Sequence, residues 1–269
     1  MWQQAEKRTG TLRRLKVWQF LVVVVLYLVL VQGVSALLTS GQDVAYGAPT
    51  SIDYLVRVVV VPVGLAIALT LGVTGYLGAW QEVFTSRVPV RRWLVVVPIA
   101  IFATAAVITN YLGLASHGAA FALLLLVAML MVGFGEELLF RGLGVLAFRT
   151  NGYSEFQVGL WTTVLFGAAH GTNIITAGPQ ALVQVLATSA TGLVFYLVLR
   201  GTGALVAAMA AHGLWDFSVL SSQIQPDEPW PLVNLSGVVL ALLLLLALVL
   251  RRRIAPASPG RREEVATGA

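Results

Sequence analysis

Apolar runs of about 20 residues, separated by short polar breaks, recur along the whole chain, from "VWQFLVVVVLYLVLVQGVSALL" at 17–38 to "LSGVVLALLLLLALVL" at 235–250. A helix rising about 1.5 Å per residue needs about 20 such residues to cross a hydrocarbon core about 30 Å thick. In lipid every backbone amide must be satisfied within its own segment, so runs of this length predict helices. Eight are expected, at 17–38, 55–78, 93–112, 118–148, 155–175, 181–199, 203–221 and 231–250. The fifth and seventh carry Thr, Gly, His and Asp among their aliphatics, and are expected to be buried inside the bundle. Composition agrees: 58% of the 269 residues are hydrophobic and only 11% charged, against about 25% charged in soluble domains. The expected fold is all-α, a polytopic membrane helix bundle.

Charge placement orients the spans. Lys7, Arg8, Arg13, Arg14 and Lys16 precede the first, Arg87, Arg91 and Arg92 follow the second, Arg149 the fourth and Arg200 the sixth. Arg251, Arg252, Arg253, Arg261 and Arg262 follow the eighth. With eight alternating spans all of these fall on one side, while the opposite loops hold no Lys or Arg and include Asp43, Asp227 and Glu228. By the positive-inside rule both termini are expected in the cytoplasm. The net charge of +5 is therefore membrane topology: the expected partner is the lipid bilayer, and no nucleic acid is expected. A basic start followed by "VSA" at Val34–Ala36 also fits a signal peptide, but the apolar run is long for one and reads as the first span. One integral membrane domain over 1–254 is expected, with a disordered cytoplasmic tail at 255–269. The absence of cysteine rules out disulfides, thiolate metal ligands and thiol nucleophiles.

Few ionisable residues fall inside the spans: Glu136, Glu137 and Arg141 in the fourth, His170 in the fifth, and His212 and Asp216 in the seventh. Such residues are costly in a bilayer and mark functional sites. Glu137 and Arg141, Phe166 and His170, and His212 and Asp216 are each spaced i, i+4, on one helix face. Ser154 and Gln157 form a capping box that opens the fifth helix. At about 1.5 Å per residue, His170, Glu136 and His212 lie roughly 24, 20 and 13 Å from the cytoplasmic ends of their helices, depths that permit one shared site. Taken alone, Glu137–Arg141 reads as a structural ion pair; the whole set does not. Neutral imidazoles and a carboxylate can bind Zn²⁺ and leave a position open for water. Equally, a buried carboxylate can act as general base toward water with a histidine beside it, while the remaining His and Asp bind an oxyanion. Both schemes are hydrolytic. The H-E-x-x-H signature is missing, so spacing does not decide whether a metal is present.

"EELLFR" (Glu136–Arg141), "FGAAH" (Phe166–His170) and "HGLWD" (His212–Asp216) fit E-E-x-x-x-R, F-x-x-x-H and H-x-x-x-[ND] in order. On an eight-span chain they resemble the CPBP family of intramembrane proteases, which includes the type II CAAX prenyl endopeptidases and bacterial bacteriocin-processing and abortive-infection proteins. The resemblance covers about 120–220. It implies an endopeptidase in a bacterial-type cell membrane, acting on a membrane-associated or prenylated-type peptide or membrane-protein substrate. Glu136 with His170 would activate water, His212 and Asp216 would support the oxyanion, and Glu137, Arg141 and Phe166 would support the site. In a metal reading Glu136, His170 and His212 would hold Zn²⁺. The endopeptidases usually carry Asn where this chain has Asp216. An ionised Asp cannot donate to an oxyanion, so Asp216 is either protonated or orients His212. Two other functions compete: a non-catalytic immunity or scaffold member of the same family, and a proton-coupled transporter, against which the lack of internal repeats counts.

Overall fold

The computed structural model describes residues 13–41, 49–86, 90, 92–174, 178–225, 227–228 and 230–250. The expected tail at 255–269 lies outside them, as do Lys7, Arg8, Asp43, Arg87, Arg91, Arg251, Arg252, Arg253, Arg261 and Arg262. Among the described residues the fold is helical, without a strand. Helices stand at all eight expected positions: α1 Val17–Leu38, α2 Ile52–Leu77, α3 Trp93–Ile108, α4 Ala119–Thr150, α5 Glu155–His170, α6 Ala181–Thr202, α7 Leu205–Ser221 and α8 Pro231–Val249. Five of them (α1, α2, α4, α6 and α8) are long and apolar enough to cross a membrane, and α3 makes a sixth if the 55° bend into the short helix Tyr111–His117 is one broken span.

The two polar helices behave differently from each other. α7 is central: Leu205, Ala208, Met209, His212, Trp215 and Ser218 are all buried. The expectation of full burial fails for α5, whose outer face exposes Phe156, Leu160, Trp161 and Val164. Its inner face, with Val158, Thr162 and Phe166, is buried. α5 is therefore amphipathic between core and lipid, and its low hydropathy comes from the inward Thr, Gly and His residues. The Ser154–Gln157 capping box opens it as expected.

Backbone continuity is broken where the core can repair it. At the bend after α3, Thr109 Oγ1 donates to Ser218 Oγ at 2.9 Å and the Asn110 amide donates to Ser221 Oγ at 2.9 Å. Asn110 Oδ1 in turn accepts from the Gly113 amide at 2.8 Å and caps the short helix. The Ser221 hydroxyl of α7 thus takes the amide that the bend frees, as a buried membrane segment requires. π-turns interrupt α1 at Val29–Gly33, α2 at Leu55–Val60 and α4 at Leu138–Gly144. Such turns are rare and concentrate at functional sites, and the one in α4 begins directly after Glu137.

α4 and α7 cross in backbone contact, and two glycines allow it. A Cβ on Gly133 would lie 2.5 Å from Gly213 N and 2.6 Å from Met209 O, and one on Gly213 would lie 2.7 Å from Leu130 Cα. Small residues at crossings let membrane helices approach this closely. Glu136 and His212 sit within one turn of these glycines, so the crossing sets their separation. Gly133→Ala is expected to lower stability by about 1–3 kcal/mol, the range for overpacking a tight core. Thermal unfolding in detergent measures it, and an unshifted midpoint would contradict the crossing described.

Candidate active site

The three motifs converge. α4 contributes Glu136, Glu137 and Arg141, α5 contributes His170 at its C-terminal end, and α7 contributes His212 and Asp216. Glu137 and Arg141 form the innermost layer, with side chains 0% exposed. Glu137 Oε1 accepts from Arg141 Nη1 at 3.0 Å and lies 3.0 Å from His212 Nδ1. Arg141 Nη2 donates to the Gly192 carbonyl of α6 at 2.7 Å, and the guanidinium lies 4.2 Å from the centroid of the Phe166 ring. A Cβ on Gly192 would come within 2.8 Å of both Arg141 Nη2 and the Phe166 ring, so only glycine leaves the arginine its place. The pair is more than an internal lock on α4. It anchors the histidine of α7 and the backbone of α6 to the same point.

Aromatic rings fix the histidines. Phe166 packs edge-on against His170, His212 and Phe140, at centroid distances of 4.9, 5.6 and 5.3 Å. Phe195 stacks on His212 at 4.5 Å with planes 19° apart. Edge-on and offset arrangements are the favoured geometries of such pairs. Phe166 therefore supports both histidines and the arginine at once.

His170 Nδ1 lies 2.9 Å from the Phe166 carbonyl. A carbonyl only accepts, so Nδ1 carries the hydrogen, and in the neutral imidazole Nε2 presents a lone pair. That lone pair faces Glu136: Nε2 is 3.9 Å from Glu136 Oε2, and His212 Nε2 is also 3.9 Å from the same oxygen. His212 Nε2 lies 3.2 Å from Asp216 Oδ2. The site has a closed side and an open side: Glu136 and His170 side chains are each 19% exposed, and that of His212 4%.

The donors do not fit a tetrahedral zinc site as they stand. Ligand bonds of about 2.0 Å place donors about 3.3 Å apart, whereas Glu136 Oε2 stands 3.9 Å from each imidazole nitrogen. Among the described residues no group of three His, Cys, Asp or Glu side chains is disposed to hold a metal ion. A gap of 3.9 Å instead spans two hydrogen bonds of about 2.8 Å to one water oxygen, meeting near a right angle.

The sequence reading did not single out two α1 residues that lie at this centre. Gln32 Nε2 donates to Thr172 Oγ1 at 3.3 Å and Asn173 Oδ1 at 2.8 Å, just beyond His170. Tyr27 is buried beside Gly135, the residue before Glu136. Gln32 left a trace in the sequence, as an amide within an apolar run. Tyr27 left none, since tyrosine is common in membrane helices.

A helical bundle with membrane-length helices and a buried Glu/His centre defines an integral membrane protein with a hydrolase-like site. Residues 118–218 match the family model described as type II CAAX prenyl endopeptidase Rce1-like, a span that contains all three motifs. No curated protein and no solved structure matches it.

Removing one partner of a buried ion pair costs about 3–5 kcal/mol, because the other charge is left uncompensated. Arg141→Leu is accordingly expected to lose most folded protein, whereas the isosteric Glu136→Gln melts like the native chain. Thermal melting of both in one detergent decides the point. A native-like Arg141→Leu would contradict the anchoring role.

Proposed function

We propose that the chain is an intramembrane endopeptidase that hydrolyses a peptide bond of a membrane-associated, prenylated-type substrate with a water activated by Glu136. The observation that carries this reading is the 3.9 Å spacing from Glu136 Oε2 to both His170 Nε2 and His212 Nε2. It is too long for direct hydrogen bonds and right for a bridging water. Glu136 accepts one proton of the water, and His170 Nε2, the free nitrogen of the neutral imidazole, accepts a hydrogen bond from the other. The oxygen attacks the peptide carbonyl carbon, and the carbonyl π-pair moves onto its oxygen. His212 Nε2–H, shared with Asp216, donates to that oxyanion. Collapse re-forms the carbonyl and breaks the C–N bond, and Glu136 returns its proton to the leaving nitrogen, giving a carboxylic acid and an amine. Glu137 and Arg141 touch no reacting atom; they hold His212 and seal the floor. No step calls for a metal.

General acid–base catalysis contributes about 10²–10⁴-fold. Glu136→Gln and His170→Ala are each expected to reduce by at least about 10²-fold the cleavage of an internally quenched, farnesylated CAAX peptide by the liposome-reconstituted chain, with unchanged melting. Native rates in both variants would overturn the assignment.

The finer topology belongs to the same proposal: eight crossings, with both chain ends in the cytoplasm. Arg13, Arg14, Arg149 and Arg200 support it, standing at the α1 start and the α4 and α6 ends as the positive-inside rule requires. Since the chain has no cysteine, single cysteines placed before α1 and after α8 report it directly. An impermeant maleimide is expected to label both from the cytoplasmic side alone. Labelling of either from the opposite side would contradict the topology.

A further inference from the structure

α1 lies outside the 118–218 family match, yet it touches the reaction centre twice. Gln32 bonds the residues just after His170. Five positions earlier, Tyr27 is 3% exposed, and a Cβ built on Gly135 would lie 2.7 Å from its hydroxyl oxygen. The π-turn Val29–Gly33 runs between them, and its wider i→i+5 winding brings residues five apart toward one side. Both polar groups therefore face the protein rather than lipid.

Tyr27 Oη and Glu136 Oε2 are both buried and make no hydrogen bond within the protein. A buried hydroxyl without a partner is costly, and phenylalanine would fill the same space without that cost. An unpartnered phenol packed on Gly135, with an unpartnered carboxylate oxygen on the next residue, points to a shared third group.

We propose that Tyr27 is a further catalytic residue, its phenol O–H hydrogen-bonded to the water that Glu136 and His170 activate. The inference rests on the reading of Glu136 as general base. It completes the valences of that water. One hydrogen points to Glu136 Oε2 and the other to His170 Nε2. The Tyr27 O–H occupies one lone pair, which leaves the second aimed at the carbonyl carbon. The phenol transfers no proton; it fixes the direction of attack, so its removal acts on kcat rather than on substrate binding.

The test compares the native chain, Tyr27→Phe and Glu136→Gln in liposomes, on the farnesylated CAAX peptide. Tyr27→Phe is expected to lower kcat about 10–10²-fold, with KM within about twofold and melting unchanged. If Glu136→Gln is inactive while Tyr27→Phe keeps the native kcat, the Tyr27 inference falls and the general base stands. If Glu136→Gln keeps the native rate, the base reading falls and takes the Tyr27 role with it. A lowered melting point in Tyr27→Phe with native kcat assigns the phenol to packing and also overturns the inference. A second readout needs no substrate: fluorotyrosine at position 27, followed by fluorine NMR. Its resonance is expected to shift on Glu136→Gln, while fluorotyrosine at the exposed Tyr76 stays in place; an unmoved position-27 resonance contradicts the contact.

Discussion

Everything at this centre depends on the fully buried Glu137–Arg141 pair. A lone charge in a bilayer core costs several kcal/mol, and three carboxylates around one site would repel. Arg141 compensates Glu137, and Glu137 has a second acceptor bond to give, taken by His212 Nδ1. A second guanidinium nitrogen, Nη2, holds the carbonyl of Gly192. One ion pair thus ties three helices together and sets a histidine's ring plane. Glu136, one residue earlier and about 100° around α4, is left without a structural partner, which is the condition a general base needs.

The fold supplies rigidity on one side and access on the other. The Gly133–Gly213 crossing brings α4 and α7 into backbone contact, and Phe166 and Phe195 wedge the histidine rings. Opposite this packed wall, Glu136 and His170 are partly open. His170 lies at the last residue of α5, where a short 3₁₀ turn follows, and Gln32 of α1 closes over that turn. Exposure thus rises from the sealed ion pair to the partly exposed Glu136 and His170 side chains.

Much of this was legible in the sequence. Apolar run length located the eight helices because lipid leaves backbone amides no other solution, and i, i+4 spacing put each polar pair on one face. The grouping of Glu136, His170 and His212 followed from the cost of intramembrane charge. What stayed hidden was relational. No residue pattern says that α5 would turn one face outward, that Arg141 would reach across to Gly192, or that Gly192 must be glycine to admit it. Tyr27 was invisible because its significance lies in being beside Gly135, a contact between helices more than 100 residues apart in sequence. The number of crossings is also less plain in the structure than in the sequence, since α5 and α7 are short and α3 is bent.

The central claim is that Glu136 acts on water through geometry held by its neighbours, with no metal between it and the histidines. The most direct measurement is anomalous diffraction at the zinc edge from crystals grown with zinc supplied. The account predicts a water density within hydrogen-bonding distance of Glu136 and His170 and no anomalous peak there. A peak at about 2.0–2.2 Å from Glu136, His170 and His212 would contradict it.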